Sequence, residues 1–260
     1  MTSPELPINS DSIEKLKSLV VNAGIAILEI YHSGDFDIEL KSNDSPVTKA
    51  DLAAHNVLVD GLSSITPDIP VVSEEDDSSL KISKTHSLYW LIDPLDGTKE
   101  FINKNDEFTV NLALINNHRP VFGFVGIPAL NTLYWGGKTF GAFKSSNDLL
   151  TQAIHVKKAE GKTRVFASKS HLNQETKIFI NALAGDVELI QAGSSLKFLR
   201  IAEGEADIYP RLAPTCEWDT AAAHAVLEGA GGTVTKADGT DLVYGKTDIL
   251  NPHFIAKGKM

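Results

Sequence analysis

Five acidic residues occupy positions from which side chains can converge on one reacting centre. They are Asp51 in VTKAD, Glu74 in VSEE, Asp93 and Asp96 in YWLIDPLDGTKEF, and Asp219 in CEWDTAAAHAVLEGAGG. The apolar run Tyr89 to Ile92 reads as a buried strand that ends in two carboxylates separated only by Pro94 and Leu95. Like charges that close repel and suppress one another's ionisation. A hard divalent cation resolves the repulsion, because Mg²⁺ takes carboxylate and carbonyl oxygens as ligands. Pro94 fixes the turn so that Asp93, the Leu95 carbonyl and Asp96 face one ion.

Each acid also has an everyday role. Thr48 and Asp51 form a capping box at a helix start. Asp96 before Gly97 suits a turn, and Asp219 suits an N-cap. Glu74 follows the apolar IPVV at a strand end, where solvated acids are common. Asp93 has no such account. Strand ends and helix starts share an edge in a layered α/β core, which is where such carboxylates meet.

Other chemistries are excluded. The chain has eight histidines but no HExxH and no His/Cys pair at zinc spacing, and it has no GxSxG elbow. Gly161-Lys162-Thr163 lacks the upstream glycine of a P-loop, and EGAGG at 228–232 closes a helix rather than opening one. A net charge of −10 with scattered lysines argues against nucleic-acid polymers and acidic membranes as partners. The N-terminus has no export signal, and no apolar run is long enough to span a membrane. The single Cys216 rules out an internal disulfide and suits a reducing cytosol as a small buried residue.

The elements that must position these residues follow from periodicity. Apolar positions from Ile13 to Ile30 predict a helix over 12–31, and a second runs over 49–64. Short β-rich runs from 70 to about 158 predict an antiparallel sheet. After 162 strands and helices alternate: a strand at TRVFAS, a helix over 173–183, VELIQ, a helix over 195–204, ADIYP, a helix over 219–229, and TVTK. The expected organisation is an N-terminal α+β lobe, 1–161, and a C-terminal α/β lobe, 162–260, with a mixed sheet.

VTKAD, VSEE, DPLDGTKEF and WDTAAAHAVLEGAGG, in this order, resemble the signature of the inositol-monophosphatase-like, lithium-sensitive, Mg²⁺-dependent phosphatases. DPxDGT with a distant WDxAA is the specific pair. DGTKEF, GSSLKF (193–198) and YPRLAPTCEWD (209–219) resemble the bacterial 3'(2'),5'-bisphosphate nucleotidases within that superfamily. The resemblance implies an α-β-α-β-α layered fold with the metal site between two lobes. It implies Glu74, Asp93 and the Leu95 carbonyl around one Mg²⁺, and Asp93, Asp96 and Asp219 around a second. The resemblance leaves room for a weaker third near Glu74 and Asp51. Asp51 and Thr98 would orient the attacking water, and Gly97 and Thr98 would offer backbone N–H groups to the phosphate. Besides Glu74, Leu95, Asp96, Gly97, Thr98 and Asp219, the implied substrate contacts are His171, Ser194, Lys197 and Arg211. Ser73 stands where many members carry glycine, and Glu217 adds an acid two residues before Asp219.

The implied reaction is in-line attack by water without a phosphoenzyme, removing the 3'-phosphate of 3'-phosphoadenosine 5'-phosphate to give AMP. 3'-Phosphoadenylyl sulfate is a further candidate substrate, and the setting is nucleotide recycling linked to sulfur assimilation. An inositol or sugar phosphate phosphatase and a silent nucleotide or metal binder are the alternatives. The expected partner is a small nucleotide bisphosphate. The expected state is a cytoplasmic monomer, with a dimer as the alternative and peripheral membrane association implied by the resemblance alone.

Overall fold

The structure is a computed structural model and describes residues 6–40, 46–146, 150–159, 161–167 and 173–259. The chain opens with α1 (Ser10–Ser33), started by a reciprocal Asn9–Ser12 capping box and ended by Gly34 in the left-handed region. Leu16, Val20, Ala23 and Ile27 form its buried stripe. β1 (Glu39–Leu40) and β2 (Pro46–Val47) pair ahead of α2 (Lys49–Ile65), which Thr48 caps as expected.

A seven-stranded sheet follows, in spatial order β3 (Val71–Ser73), β4 (Leu88–Asp96), β5 (Thr109–Asn116), β6 (Arg119–Ile127), β7 (Thr132–Gly137), β8 (Gly141–Ser146) and β9 (Gln152–Ala153). Two short helices, α3 (Ile82–Thr85) and α4 (Thr98–Ile102), flank β4. The sheet is antiparallel except at one place: β3 runs parallel to β4. The stretch containing α3 supplies the crossover a parallel pair needs, and the antiparallel expectation is corrected there.

The later part contains β10 (Thr163–Phe166), α5 (Gln174–Asn181), β11 (Val187–Ile190), α6 (Leu196–Ala202), β12 (Ile208–Arg211), α7 (Trp218–Gly229), β13 (Thr233–Lys236) and β14 (Phe254–Lys257). Its five strands make a mixed sheet in the order β11-β10-β12-β14-β13.

Alternation along β4 explains the layering. Trp90 and Ile92 pack with the stripes of α1 and α2, whereas Tyr89 and Leu91 enter a second core with α6, α7 and the five-stranded sheet. The far face of that sheet, with Val165, Ile208 and Ile255, packs on Ile180 of α5. The layers are therefore α1/α2, seven strands, α6/α7, five strands and α5.

α7 lies between the two sheets and is buried on every side, from Trp218 and Ala221 to Leu227. Its alanines let it approach β6 closely. A Cβ on Gly123 would sit 2.1 Å from the Ala222 carbonyl oxygen, so only glycine fits beneath the helix. Each fully buried Val or Leu here contributes about 1.5–3 kcal/mol relative to an exposed one. That packing fixes the helix start at the site.

Candidate active site

The parallel pair β3/β4 puts two strand ends side by side. The Glu74 N–H donates to the Ile92 carbonyl at 3.2 Å, which places Glu74 beside Asp93. Alternation assigns Asp93 to the face shared by Tyr89 and Leu91, towards α7. A register irregularity between Asp93 and Asp96 ends the regular pairing with β5 and turns Leu95 into the opposite core. Carboxylate oxygens of Glu74, Asp93 and Asp219 come within 4.8 Å of one another.

This cluster is electrostatically unfinished. Asp93 is 1% exposed; its Oδ1 accepts the Leu95 N–H at 3.1 Å, whereas the buried Oδ2 has no hydrogen-bond partner. Burial, then the charges of Glu74, Asp96, Asp219 and Asp51, push its pKa well above the usual carboxylate range. Asp219 is raised too, by burial and then by Asp96 and Glu74, against the lowering effect of the Cys216 N–H. Three converging carboxylates with an unpartnered buried oxygen fit a hard divalent cation, which removes the repulsion and satisfies the orphan atom.

Asp51 fulfils the capping role and more. Its Oδ2 accepts the Thr48 N–H and hydroxyl at 2.7 and 2.6 Å, and its Oδ1 accepts the Thr98 hydroxyl at 3.2 Å. Thr98 Oγ1 also lies 3.3 Å from the Leu95 carbonyl oxygen. Gly97 precedes α4 at φ +93, where an added Cβ would press on the Glu107 carbonyl at 3.1 Å. Glycine is required twice over there.

Asp96 stands between the acids and the turn before α6. Its Oδ2 accepts the Ser194 hydroxyl in a short contact and the Ser195 N–H at 2.9 Å. Burial raises its pKa, opposed by Ser194 and by the Lys197 charge. Ser194 sits at φ +45, a conformation uncommon outside glycine. Thr109 Oγ1 links to both serine hydroxyls, at 2.7 and 2.9 Å, and Asn111 Nδ2 donates to Thr109 at 3.2 Å. The motif reading missed Thr109, Asn111 and Ser195. Two polar residues at alternate positions of an otherwise apolar strand were the available signal.

A cavity of about 610 Å³ opens beside the acids, and Asp96, Lys197, Tyr209, Arg211 and Asp219 are among the residues that line it. This size suits a small ligand. The Lys197 ammonium donates to the Ser194 carbonyl at 3.0 Å and lies 5.3 Å from the Tyr209 ring centroid. Burial pushes its pKa down, against the raising effect of Asp96. Arg211 donates from Nη2 to the Pro214 carbonyl at 2.8 Å, while its buried Nε has no partner. His171 lies outside the described residues.

Three details depart from expectation. Asp219 is not the N-cap of α7; the helix starts at Trp218, and the Asp219 Oδ2 accepts the Cys216 N–H at 2.8 Å. Cys216 is only partly buried. Ser73 is accommodated by use: its hydroxyl contacts His55 Nδ1 at 2.8 Å and accepts the Glu75 N–H at 3.2 Å.

Among the described residues no helix is long and apolar enough to cross a membrane. The model of the inositol monophosphatase family matches residues 9–259. A protein of Escherichia coli O157:H7 named 3'(2'),5'-bisphosphate nucleotidase CysQ is 44% identical over 244 residues, covering 93% of this chain and 98% of that protein. The crystal structure of CysQ from Bacteroides thetaiotaomicron, described as a bacterial member of that family, superposes with a TM-score of 0.83 at 39% identity, covering 96% and 98% of the two chains. The extragenic suppressor protein suhB from Bartonella henselae, at 23% identity and a TM-score of 0.77 over 96% of this chain and 94% of that one, shares the fold. With the family model matching nearly the whole chain and relatives at 39–44% identity covering almost all of it, the chain belongs to the inositol monophosphatase family.

Proposed function

We propose that this protein is a Mg²⁺-dependent phosphatase that hydrolyses the 3'-phosphate of 3'-phosphoadenosine 5'-phosphate to AMP and inorganic phosphate. One observation carries the reading: a single cavity is lined both by Asp96 and Asp219 and by Lys197 and Arg211. A substrate with two phosphates on one ribose can use both sets of residues. The reacting phosphate goes to the acids with their cations, and the other needs a protein cation of its own in a chain of net charge −10. Arg211 Nε, a buried donor without an acceptor, suits that second phosphate. The names of the relatives support the nucleotide reading.

Glu74, Asp93, the Leu95 carbonyl, Asp96 and Asp219 would hold two Mg²⁺ ions, with a third near Glu74 and Asp51. When bound, the ions supply Lewis acidity at the phosphoryl oxygens and charge compensation for the departing oxygen. The chain's own part is positioning and proton handling. The Thr98 hydroxyl donates a hydrogen bond to Asp51 Oδ1 or to the Leu95 carbonyl, so its oxygen is free to accept a hydrogen bond from the attacking water, whose proton passes along that hydroxyl to Asp51. Asp51 Oδ2 is pinned by Thr48, which keeps Oδ1 aimed at Thr98 as the acceptor of the proton passed along that hydroxyl. Water forms the new P–O bond as the bond to the ribose 3'-oxygen breaks on the opposite side. The Gly97 and Thr98 N–H groups would orient the phosphate, and Ser194 connects the two ends of the site through Asp96.

Phosphate release from 3'-phosphoadenosine 5'-phosphate, 3'-phosphoadenylyl sulfate, inositol 1-phosphate and a sugar monophosphate, with Mg²⁺ and with EDTA, tests the reading. The expected result is Mg²⁺-dependent release with the bisphosphorylated nucleotide preferred. Preference for inositol phosphate, or no release from any substrate, would overturn it.

A further inference from the structure

Glu217, the additional acid of CEWD, is already fully engaged. It is 3% exposed; its Oε2 accepts the Gly245 N–H at 2.7 Å, and its Oε1 accepts the Lys246 N–H at 3.0 Å and, in a short contact, the Lys246 ammonium. At the other end of the same segment, the Asn251 N–H donates to the Thr215 carbonyl at 2.8 Å. Its Nδ2 reaches the Cys216 carbonyl at 2.7 Å and the Thr220 hydroxyl at 3.1 Å. Between these anchors the Glu217 N–H donates to the Ile249 carbonyl at 2.9 Å, and Cys216 pairs with Leu250 as an antiparallel bridge. The turn so gripped contains Cys216, whose N–H holds Asp219 Oδ2. The gripping segment is itself seated against β4 and α3: Gly245 lies at φ +73, and a Cβ there would meet Tyr89 Oη at 3.0 Å and the Ser83 carbonyl at 3.1 Å.

We propose that residues 245–251 form a bracket that sets the Asp219 carboxylate and so its affinity for a divalent cation, with Glu217 and Asn251 as its positioning residues. The inference rests on the metal-dependent reading above. The bracket has a second consequence. By occupying both oxygens of Glu217, it keeps an acid two residues from Asp219 from competing for the cation. Partners that orient a ligand typically change metal affinity tenfold to a hundredfold when lost.

The test is Mg²⁺ titration of the full chain by calorimetry without substrate, on the unaltered protein, Asn251→Leu and Glu217→Gln. Phosphate release is followed as a function of Mg²⁺ on the same samples. Asn251→Leu removes the side-chain bonds at similar volume, and Glu217→Gln loosens the grip on 245–246 without changing shape. Both are expected to bind Mg²⁺ about tenfold to a hundredfold more weakly, with activity recovered at high Mg²⁺ and KM for the nucleotide at saturating Mg²⁺ nearly unchanged. Folded variants with unaltered Mg²⁺ affinity, or with a raised KM alone, would overturn the bracket. Should Asn251→Leu fail to fold, Glu217→Gln decides: unaltered affinity there refutes the proposal. Absence of Mg²⁺ binding by the unaltered protein would overturn the metal-dependent reading itself, and the bracket with it.

Discussion

Asp93→Asn should make the metal-free protein more stable and the Mg²⁺-loaded protein less so. The carboxylate is 1% exposed, with one oxygen unpartnered and two further acids within 4.8 Å. An amide keeps the shape, still accepts the Leu95 N–H, and offers donors to Glu74 and Asp219. Relieving one unsatisfied buried group is worth about 1–3 kcal/mol. At about 2.1 cal/mol/K of unfolding entropy per residue, a chain of 260 residues gains roughly 2–5 °C in Tm. Mg²⁺ at about 1,000 times its Kd should stabilise the unaltered protein by about 4.1 kcal/mol and the variant by much less, so the order of the two reverses.

The pH dependence has a definite sign. Asp93 is an acid whose folded pKa is raised, so the stability linked to its proton is present below the unfolded value of about 3.9 and is lost as pH rises through the folded value. The advantage of the variant in EDTA is therefore smallest below about pH 3.9 and grows as pH rises through the folded value. Thermal denaturation by circular dichroism, in EDTA and in Mg²⁺ at several pH values, measures all of this. A lower Tm for Asp93→Asn in EDTA, or equal Mg²⁺ stabilisation of both proteins, would refute the reasoning.

Asp96→Asn should fold with unchanged or raised metal-free Tm and lose nearly all turnover; near-normal turnover at saturating Mg²⁺ would remove Asp96 from the metal set. Asp51→Asn should lose about 1 kcal/mol of stability through the cap and most of its rate through Thr98, and a folded variant with intact rate would leave Asp51 as a cap alone. Arg211→Ala should lower kcat/KM for 3'-phosphoadenosine 5'-phosphate about tenfold to a hundredfold while affecting a small monophosphate much less, and equal losses on both would indicate a structural role. Because burial and mutual repulsion raise Asp93, Asp96 and Asp219, Mg²⁺ binding should release protons and weaken as pH falls towards and through their folded values; calorimetry in buffers of different ionisation enthalpy checks this, and an affinity that stays constant as pH is lowered from about 8 to about 4 would contradict it.

The helices were legible because their caps and apolar periods are local: Thr48 starts α2, and Gly34 ends α1. Strand direction is not local. Nothing in IPVV distinguishes a parallel from an antiparallel neighbour, and the one parallel pair of the seven-stranded sheet is the one that brings Glu74 to Asp93. DPLDGT announced itself because an apolar strand ending in two acids needs an explanation. Asn251 gave no such signal, and Glu217 stood out only as an additional acid before Asp219; the role of each depends on the distant backbone it holds. Lys197 was named through the resemblance, but its burial was not legible, because it follows from Tyr209 and the turn at Ser194.

The most direct measurement is ³¹P NMR of 3'-phosphoadenosine 5'-phosphate incubated with the protein and Mg²⁺. The account predicts loss of the 3'-phosphate signal, equal growth of inorganic phosphate, an intact 5'-phosphate in the AMP formed, and no change in EDTA. Release of the 5'-phosphate first, turnover that persists in EDTA, or an unchanged spectrum beside rapid hydrolysis of inositol 1-phosphate would contradict it.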